Sequence, residues 1–147
     1  MAVIHDMMPA FELFQPASLD DALGLLDRHR ADAWVLAGGL DSFDWLKDRI
    51  RKPAVVVELG AIEALRGVKA SGDGIEIGAM TTLTDVVRDP LVREKFGVLF
   101  QGAEAAASPQ IRNQGTIGGN LSQDARCWYY RAGWACYRAG GNICYAD

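Results

Sequence analysis

The first 60 residues of the chain alternate between short apolar runs and amphipathic stretches, and few folds accommodate this alternation. We predict strands at 11–14, 33–37 and 54–59, because each run is short, apolar and followed closely by proline or glycine. Helices are predicted at 18–30, with Ser18 as N-cap, and at 41–50. This order, in which three strands alternate with two helices, predicts a small α/β layer with a partly parallel sheet.

Gly60 marks a plausible boundary, after which the pattern changes. We predict a hairpin over 68–79 with its turn at 71–74, a short helix that ends near residue 88, a helix over 91–107 and a glycine-rich loop over 108–121. The sequence therefore predicts an α+β protein with two small subdomains, 1–60 and 61–147, the second ending in a cysteine-rich loop at 122–147.

Composition excludes several classes of protein. The formal net charge is −4 and no basic stripe is present, which disfavours nucleic-acid binding. No apolar run approaches the roughly 20 residues of a membrane span. The N-terminus lacks the basic flank and apolar stretch of a secretory signal. We expect a cytoplasmic protein, because reduced thiols persist there; export with a partner subunit is the alternative.

The first candidate site is the sequence Leu-Ala-Gly-Gly-Leu-Asp-Ser at 36–42, where a predicted strand turns into a helix. Gly38 and Gly39 would let the backbone turn sharply and present N–H groups at the helix N-terminus, which suits a phosphate. A simple tight turn is the alternative. The pattern is neither a Rossmann fingerprint nor a Walker A loop.

A second glycine-rich sequence, Gln-Gly-Thr-Ile-Gly-Gly-Asn-Leu, occupies 114–121. Alone it is equally compatible with a β-turn closed by Asn120. Two such elements in one small domain favour a two-sided clamp on a phosphorylated ligand. Thr81 and Thr82 could donate hydroxyls to that ligand or cap a helix.

Three cysteines, an odd number, lie near the end of the chain, which argues against a closed disulfide set. They are Cys127, Cys136 and Cys144. No Cys-x-x-Cys is present, which disfavours zinc ribbons and thioredoxin-like motifs. Glycines at 133, 140 and 141 would let the loop fold back, and nearby aromatic side chains and the arginines at 126, 131 and 138 would shield an iron–sulfur centre and offset thiolate charge. Three reduced, buried thiols are the alternative.

Taken together, these residues resemble the FAD-binding subunit of the molybdenum hydroxylases, the family of xanthine dehydrogenase, CO dehydrogenase and 4-hydroxybenzoyl-CoA reductase. The segments that carry the resemblance occur in the family's order and at about its spacing. They are Phe14-Gln15-Pro16, residues 36–41, residues 76–83, Ile111-Arg112-Asn113 and residues 115–121.

The resemblance implies an FAD-binding domain of the vanillyl-alcohol-oxidase (PCMH) type, built from two small subdomains, with FAD held noncovalently between them. The first turn would hold the FAD diphosphate through Ala37, Gly38, Gly39, Leu40, Asp41 and Ser42. The second subdomain would pack against FAD through Thr116, Ile117, Gly118, Gly119 and Asn120, with Thr81 and Thr82 nearby. No residue is assigned as a catalytic acid or base.

The resemblance also implies a role and partners. The chain would pass electrons between iron–sulfur clusters and an external acceptor, in a complex with a large subunit that carries the molybdenum–pterin cofactor and a small [2Fe–2S] subunit. Family members are longer, so the second subdomain is expected to be incomplete here and to be finished by a further polypeptide.

Two departures from the family pattern affect the site. Leu40 stands where the family commonly has a polar residue. Residues 122–130 resemble the branch whose flavoprotein subunit carries an extra [4Fe–4S] cluster, as in some aldehyde oxidoreductases. The three cysteines would then be cluster ligands, and the fourth ligand would come from beyond residue 147, from another chain, or from a non-cysteine group or water. Two alternatives stay open: an assembly subunit that binds no FAD, and a small thiol-based metal-binding or redox-sensing module.

Overall fold

The structure is a computed structural model that describes residues 8–147. Residues 1–7, which begin both the N-terminal stretch considered as a secretory signal and the predicted 1–60 subdomain, lie outside the described residues. None of the helices between residues 8 and 147 combines the length and the apolar composition that a transmembrane span requires.

Strands and short helices follow one another along the described chain. In order they are β1 (Glu12–Phe14), α1 (Leu19–His29), β2 (Ala33–Leu36), α2 (Leu40–Lys47), β3 (Val55–Glu58), β4 (Val68–Ser71), β5 (Gly74–Ile77), α3 (Leu83–Arg88), α4 (Pro90–Lys95), α5 (Gly97–Ala105), α6 (Pro109–Gln114), α7 (Ile117–Ser122) and α8 (Trp128–Arg131). The predicted mixture of helices and strands is confirmed.

The first sheet has the strand order β1-β3-β2, and both strand pairs are parallel. The central strand is β3, where Val56 lies opposite Leu13 on one side and Trp34 on the other. The valines at 55–57 are all buried, and an unbroken apolar run of this kind is typical of a parallel strand whose two faces are both covered. The predicted parallel pairing is confirmed, and α1 and α2 form the two connections between strands.

The core of this first layer lies between α1 and the sheet. Ala22 of α1 packs against Val55 and Val57, together with Ile62. Ser18 caps α1 as predicted, with its Oγ accepting a hydrogen bond from the N–H of Asp21 at 3.1 Å. Ile62 packs in this first core although it lies beyond Gly60 in the sequence. The subdomain boundary at residue 60 therefore stays a prediction.

The second layer begins with the antiparallel hairpin of β4 and β5, whose Ser71 and Gly74 form the last pair before the turn. Helices α3, α4 and α5 cover it and share a core of Leu83, Val86 and Val92. The predicted hairpin is confirmed.

Two predictions for the second layer are wrong. The helix expected over 91–107 is two helices that break at Phe96, whose backbone (φ −124°, ψ 55°) is not helical and which precedes the weak helix former Gly97. The loop expected over 108–121 contains α6 and α7. Ser108 caps α6, which has proline at its first helical position, and Thr116 caps α7. The stabilisation from these N-caps outweighs the low helix propensity of the local glycines.

Candidate functional site

The first glycine sequence forms the connection between β2 and α2. Gly39 has φ +82°, a left-handed conformation that favours glycine, and its carbonyl accepts the first helical hydrogen bond, from Phe43 N–H at 2.9 Å. The N–H groups of Gly38 and Gly39 find no acceptor among residues 8–147. Those in the first turn of α2 also lack intrahelical partners, as in any helix. The turn therefore presents several N–H donors suited to an anion.

The second glycine sequence lies directly against this turn. The Gln114 amide donates to the Gly38 carbonyl at 3.1 Å, across 76 residues of chain. A Cβ on Gly38 would collide with the backbone oxygen of Gln114. A Cβ on Gly119 would lie 3.7 Å from the Cβ of Ala37. The structure thus brings together the two segments that the sequence singled out.

Backbone hydrogen bonds hold the second glycine segment against the connection between β5 and α3. Ile117 N–H donates to Thr81 O at 2.9 Å, and Gly118 N–H donates to Ala79 O at 2.9 Å. Thr82 and Thr116 pair as an antiparallel bridge. A Cβ on Gly118 would lie only 2.8 Å from that of Ala79, so this close approach needs glycine.

The threonine hydroxyls at this place serve the protein framework. Buried Thr81 donates to Gly67 O at 3.0 Å and accepts from Gly67 N–H at 2.9 Å. Thr82 caps α3 through the N–H of Asp85, and Thr116 caps α7 through the N–H of Gly119, both at 3.1 Å. They fix the position of the site backbone, whereas a direct ligand contact stays a prediction.

The other predicted site residues lie on the two helices that begin here. Leu40 is 42% exposed at the start of α2, and Ser42 is half-buried in the first turn. Asn120 is exposed on α7. Ile117 packs on the second core, so its side chain contributes to stability.

Asp41 has three partners, none of which is predicted above from the sequence. Its carboxylate accepts from Trp45 Nε1 at 2.9 Å and from Arg131 at 2.6 Å, and Arg126 lies at 3.5 Å. Burial raises the pKa of Asp41, but the hydrogen bonds from Arg131 and Trp45 and the charges of both arginines outweigh it, so the pKa lies below the ordinary value of 3.8. Asp41 is therefore ionised at neutral pH. The i, i+4 spacing of Asp41 and Trp45 was a usable signal for one contact.

The cysteine-rich loop at 122–147 is organised by other residues than its cysteines. Asp124 accepts from Tyr130 Oη at 3.0 Å and from Arg138 Nε at 2.9 Å. The rings of Tyr129, Trp134 and Tyr145 lie against one another at centroid distances of 4.7–5.7 Å. The predicted fold-back of this loop is observed, since positive φ at Gly133 and Gly140 turns the chain.

The predicted metal site in this loop is not confirmed. Cys127 is half-buried, Cys136 is buried and Cys144 is exposed, and all three are free thiols. Across residues 8–147, no group of three or more His, Cys, Asp or Glu side chains is placed to hold a metal ion. The arginines expected to offset thiolate charge pair with carboxylates instead: Arg126 and Arg131 with Asp41, and Arg138 with Asp124. The residues present do not fit an iron–sulfur cluster in this arrangement.

The chain is similar to proteins of a known family. Residues 9–147 match the family described as the FAD binding domain in molybdopterin dehydrogenase. The carbon monoxide dehydrogenase medium chain of Hydrogenophaga pseudoflava is 37% identical over 114 residues, which cover 78% of this chain and 40% of that protein. The nicotinate dehydrogenase FAD-subunit of Eubacterium barkeri is 39% identical over 116 residues, which cover 78% of this chain and 39% of the relative.

Solved structures agree with this assignment. A crystal structure of the cyanide-inactivated Cu,Mo-CO dehydrogenase contains a chain that superposes with a TM-score of 0.75 at 36% identity, covering 78% of this chain and 40% of that one. Quinoline 2-oxidoreductase from Pseudomonas putida 86 gives a TM-score of 0.75 at 31% identity, covering 79% and 40%. This chain spans about 40% of the length of these relatives. The family resemblance and the PCMH-type fold are confirmed: the chain belongs to the family of FAD-binding domains of molybdopterin dehydrogenases.

Proposed function

We propose that the chain is the FAD-binding part of an electron-transfer flavoprotein subunit in a molybdenum-containing dehydrogenase. The observation that carries the proposal is the contact between the two glycine segments, where Gln114 donates to the Gly38 carbonyl at 3.1 Å. Paired backbone segments rich in N–H groups suit a dinucleotide diphosphate. The family match supplies the identity of the dinucleotide.

The residues present fit FAD, because the turn at 37–42 presents N–H donors without protein acceptors among residues 8–147. In the proposal this turn holds the diphosphate, and residues 116–120 contact the cofactor from the opposite side. Thr81, Thr82 and Thr116 hold these backbones in place. Bound FAD would supply the redox chemistry, since it accepts and returns electrons.

The proposal places the oxidation of substrate on other subunits. The relatives' names describe a medium chain and an FAD-subunit. We infer a large subunit with a molybdenum–pterin cofactor and a small [2Fe–2S] subunit as partners. Free cysteines suit a reducing compartment such as the cytoplasm. No iron–sulfur centre is assigned to the described residues.

Retention of FAD tests the proposal. The purified full chain is incubated with FAD, free flavin is removed by gel filtration, and flavin absorbance is compared with protein concentration. We expect FAD to remain bound. Gly119→Ala adds a methyl 3.0 Å from Thr116 Oγ1, between the two segments, and should weaken FAD binding by about tenfold.

Gly102→Ala is the matched control, since a Cβ at Gly102 in α5 has no atom within 4 Å. It should bind FAD like the wild type. A wild-type chain that elutes without flavin contradicts the proposal. Equal FAD affinity of Gly119→Ala and the wild type would remove residues 116–120 from the site.

A further inference from the structure

Two arginines from the C-terminal loop converge on a carboxylate beside the first glycine turn. Arg131 donates to Asp41 at 2.6 Å, and Arg126 lies at 3.5 Å. The side chain of Arg131 is only 10% exposed and that of Asp41 is 27% exposed, so solvent screens this pair less than a surface pair.

Trp45 fixes the geometry of this contact. Its Nε1 donates to Asp41 at 2.9 Å, and the guanidinium of Arg131 lies over its ring at 4.5 Å. Tyr130, the neighbour of Arg131, meets the same ring edge-on at 6.2 Å. Because Trp45 and Asp41 are one turn apart on α2, this contact joins the C-terminal loop to the start of that helix.

Charge gives the contact a further consequence. Asp41 follows Gly39 by two residues, so its carboxylate adjoins the turn to which we assign the FAD diphosphate. An unpaired carboxylate there would repel that diphosphate. Two guanidinium groups reverse the sign, since two positive charges and one negative charge leave the cluster with a net charge of +1.

We propose that Arg131 is a positioning residue for FAD: it neutralises Asp41 and holds the first turn of α2 in place. The chain then binds the diphosphate tightly only when the loop at 122–147 is docked against this turn. The inference rests on the proposed function. It assigns to the loop at 122–147 a role in cofactor affinity that requires none of its cysteines.

FAD titration of full-length variants tests this role. Dissociation constants are measured from flavin fluorescence at low and high salt, with urea unfolding in parallel. Arg131→Ala should weaken FAD binding by at least about tenfold at low salt and flatten the salt dependence. Arg131→Lys keeps the charge and should retain most of the affinity. Arg131→Ala combined with Asp41→Asn also removes the negative charge, so that Arg126 returns the cluster to a net charge of +1, and should recover much of the loss.

Arg93→Ala is the control, because Arg93 lies over Phe100 in the second layer and should leave FAD binding unchanged. Unchanged affinity in Arg131→Ala overturns the inference and leaves the proposed function standing. Weakened binding with an unaltered salt slope, or without recovery in the double variant, also overturns it, since the contact would then be only structural. A wild-type chain that binds no FAD contradicts both proposals.

Discussion

Gly38→Ala should destabilise the protein, because the position is enclosed by backbone. A Cβ there would collide with the carbonyl oxygen of Gln114 and lie 3.1 Å from its carbonyl carbon. No side-chain rotation relieves this contact, so the two glycine segments must move apart. Overpacking of this kind costs about 1–3 kcal/mol.

Two further effects change the expected loss of stability in Gly38→Ala. Separation of the segments also weakens the hydrogen bond from Gln114 to Gly38, which is worth about 1 kcal/mol. The alanine lowers the entropy of the unfolded chain, which returns about 0.4–1 kcal/mol. We therefore expect a net loss of about 2 kcal/mol in the free energy of unfolding, measured by urea denaturation.

Gly24→Ala provides the comparison for the same chemical change. A Cβ at Gly24 in α1 has no atom within 4 Å, so alanine should stabilise the helix by about 0.5–1 kcal/mol. The two variants should therefore shift in opposite directions. If Gly38→Ala unfolds at the wild-type urea concentration, the packing of the two glycine segments described above is incorrect.

Three further perturbations test the rest of the structure. Because the pKa of Asp41 is lowered in the folded protein, its ionised form stabilises the fold at pH values above 3.8, and this contribution is lost as pH falls through the folded-state pKa. The stability difference between the wild type and Asp41→Asn should therefore shrink below about pH 4. A difference that stays constant with pH would contradict this. Gly141→Ala places a Cβ against the carbonyl oxygen of Ala135 and should expose the C-terminal loop to limited proteolysis, whereas Asn142→Ala, at an exposed neighbour, should not. The rate of thiol labelling in the native protein should follow the exposure of each cysteine, in the order Cys144, then Cys127, then Cys136. If buried Cys136 reacts first, the packing of the loop is incorrect.

Local signals predicted the first layer well. The valines at 55–57 form an apolar run that suits a central parallel strand, and Ser18 has the side chain and position of an N-cap. These features depend on neighbours in the sequence. The sequence therefore carries them without knowledge of the remaining fold.

The second glycine segment shows where local signals compete. Glycines at 115, 118 and 119 predict a loop, yet Ser108 and Thr116 start helices by accepting backbone N–H groups. The caps were visible in the sequence. They do not decide between loop and helix, because glycine propensity and capping have similar magnitudes and opposite signs.

The contacts of Asp41 could not be predicted in the same way. Arg131 lies 90 residues away in the chain, and no periodicity connects the two positions. Charge alone suggested that the arginines would offset thiolates, whereas the fold brings carboxylates to them. An ion pair between distant segments follows from packing, which a single sequence does not display.

The separations that hide these contacts also set an order of assembly. The parallel strands of the first layer and their two connecting helices lie between Glu12 and Glu58, so the loop closures that bring them together are shorter than those that bring in the later segments. The contact of Gln114 with Gly38 closes a loop of 76 residues, and that of Arg131 with Asp41 closes one of 90. Such long closures cost more chain entropy and slow folding. The second glycine segment should therefore reach the first turn only after the first layer has formed. A nascent chain can then form the turn well before it can hold a ligand there.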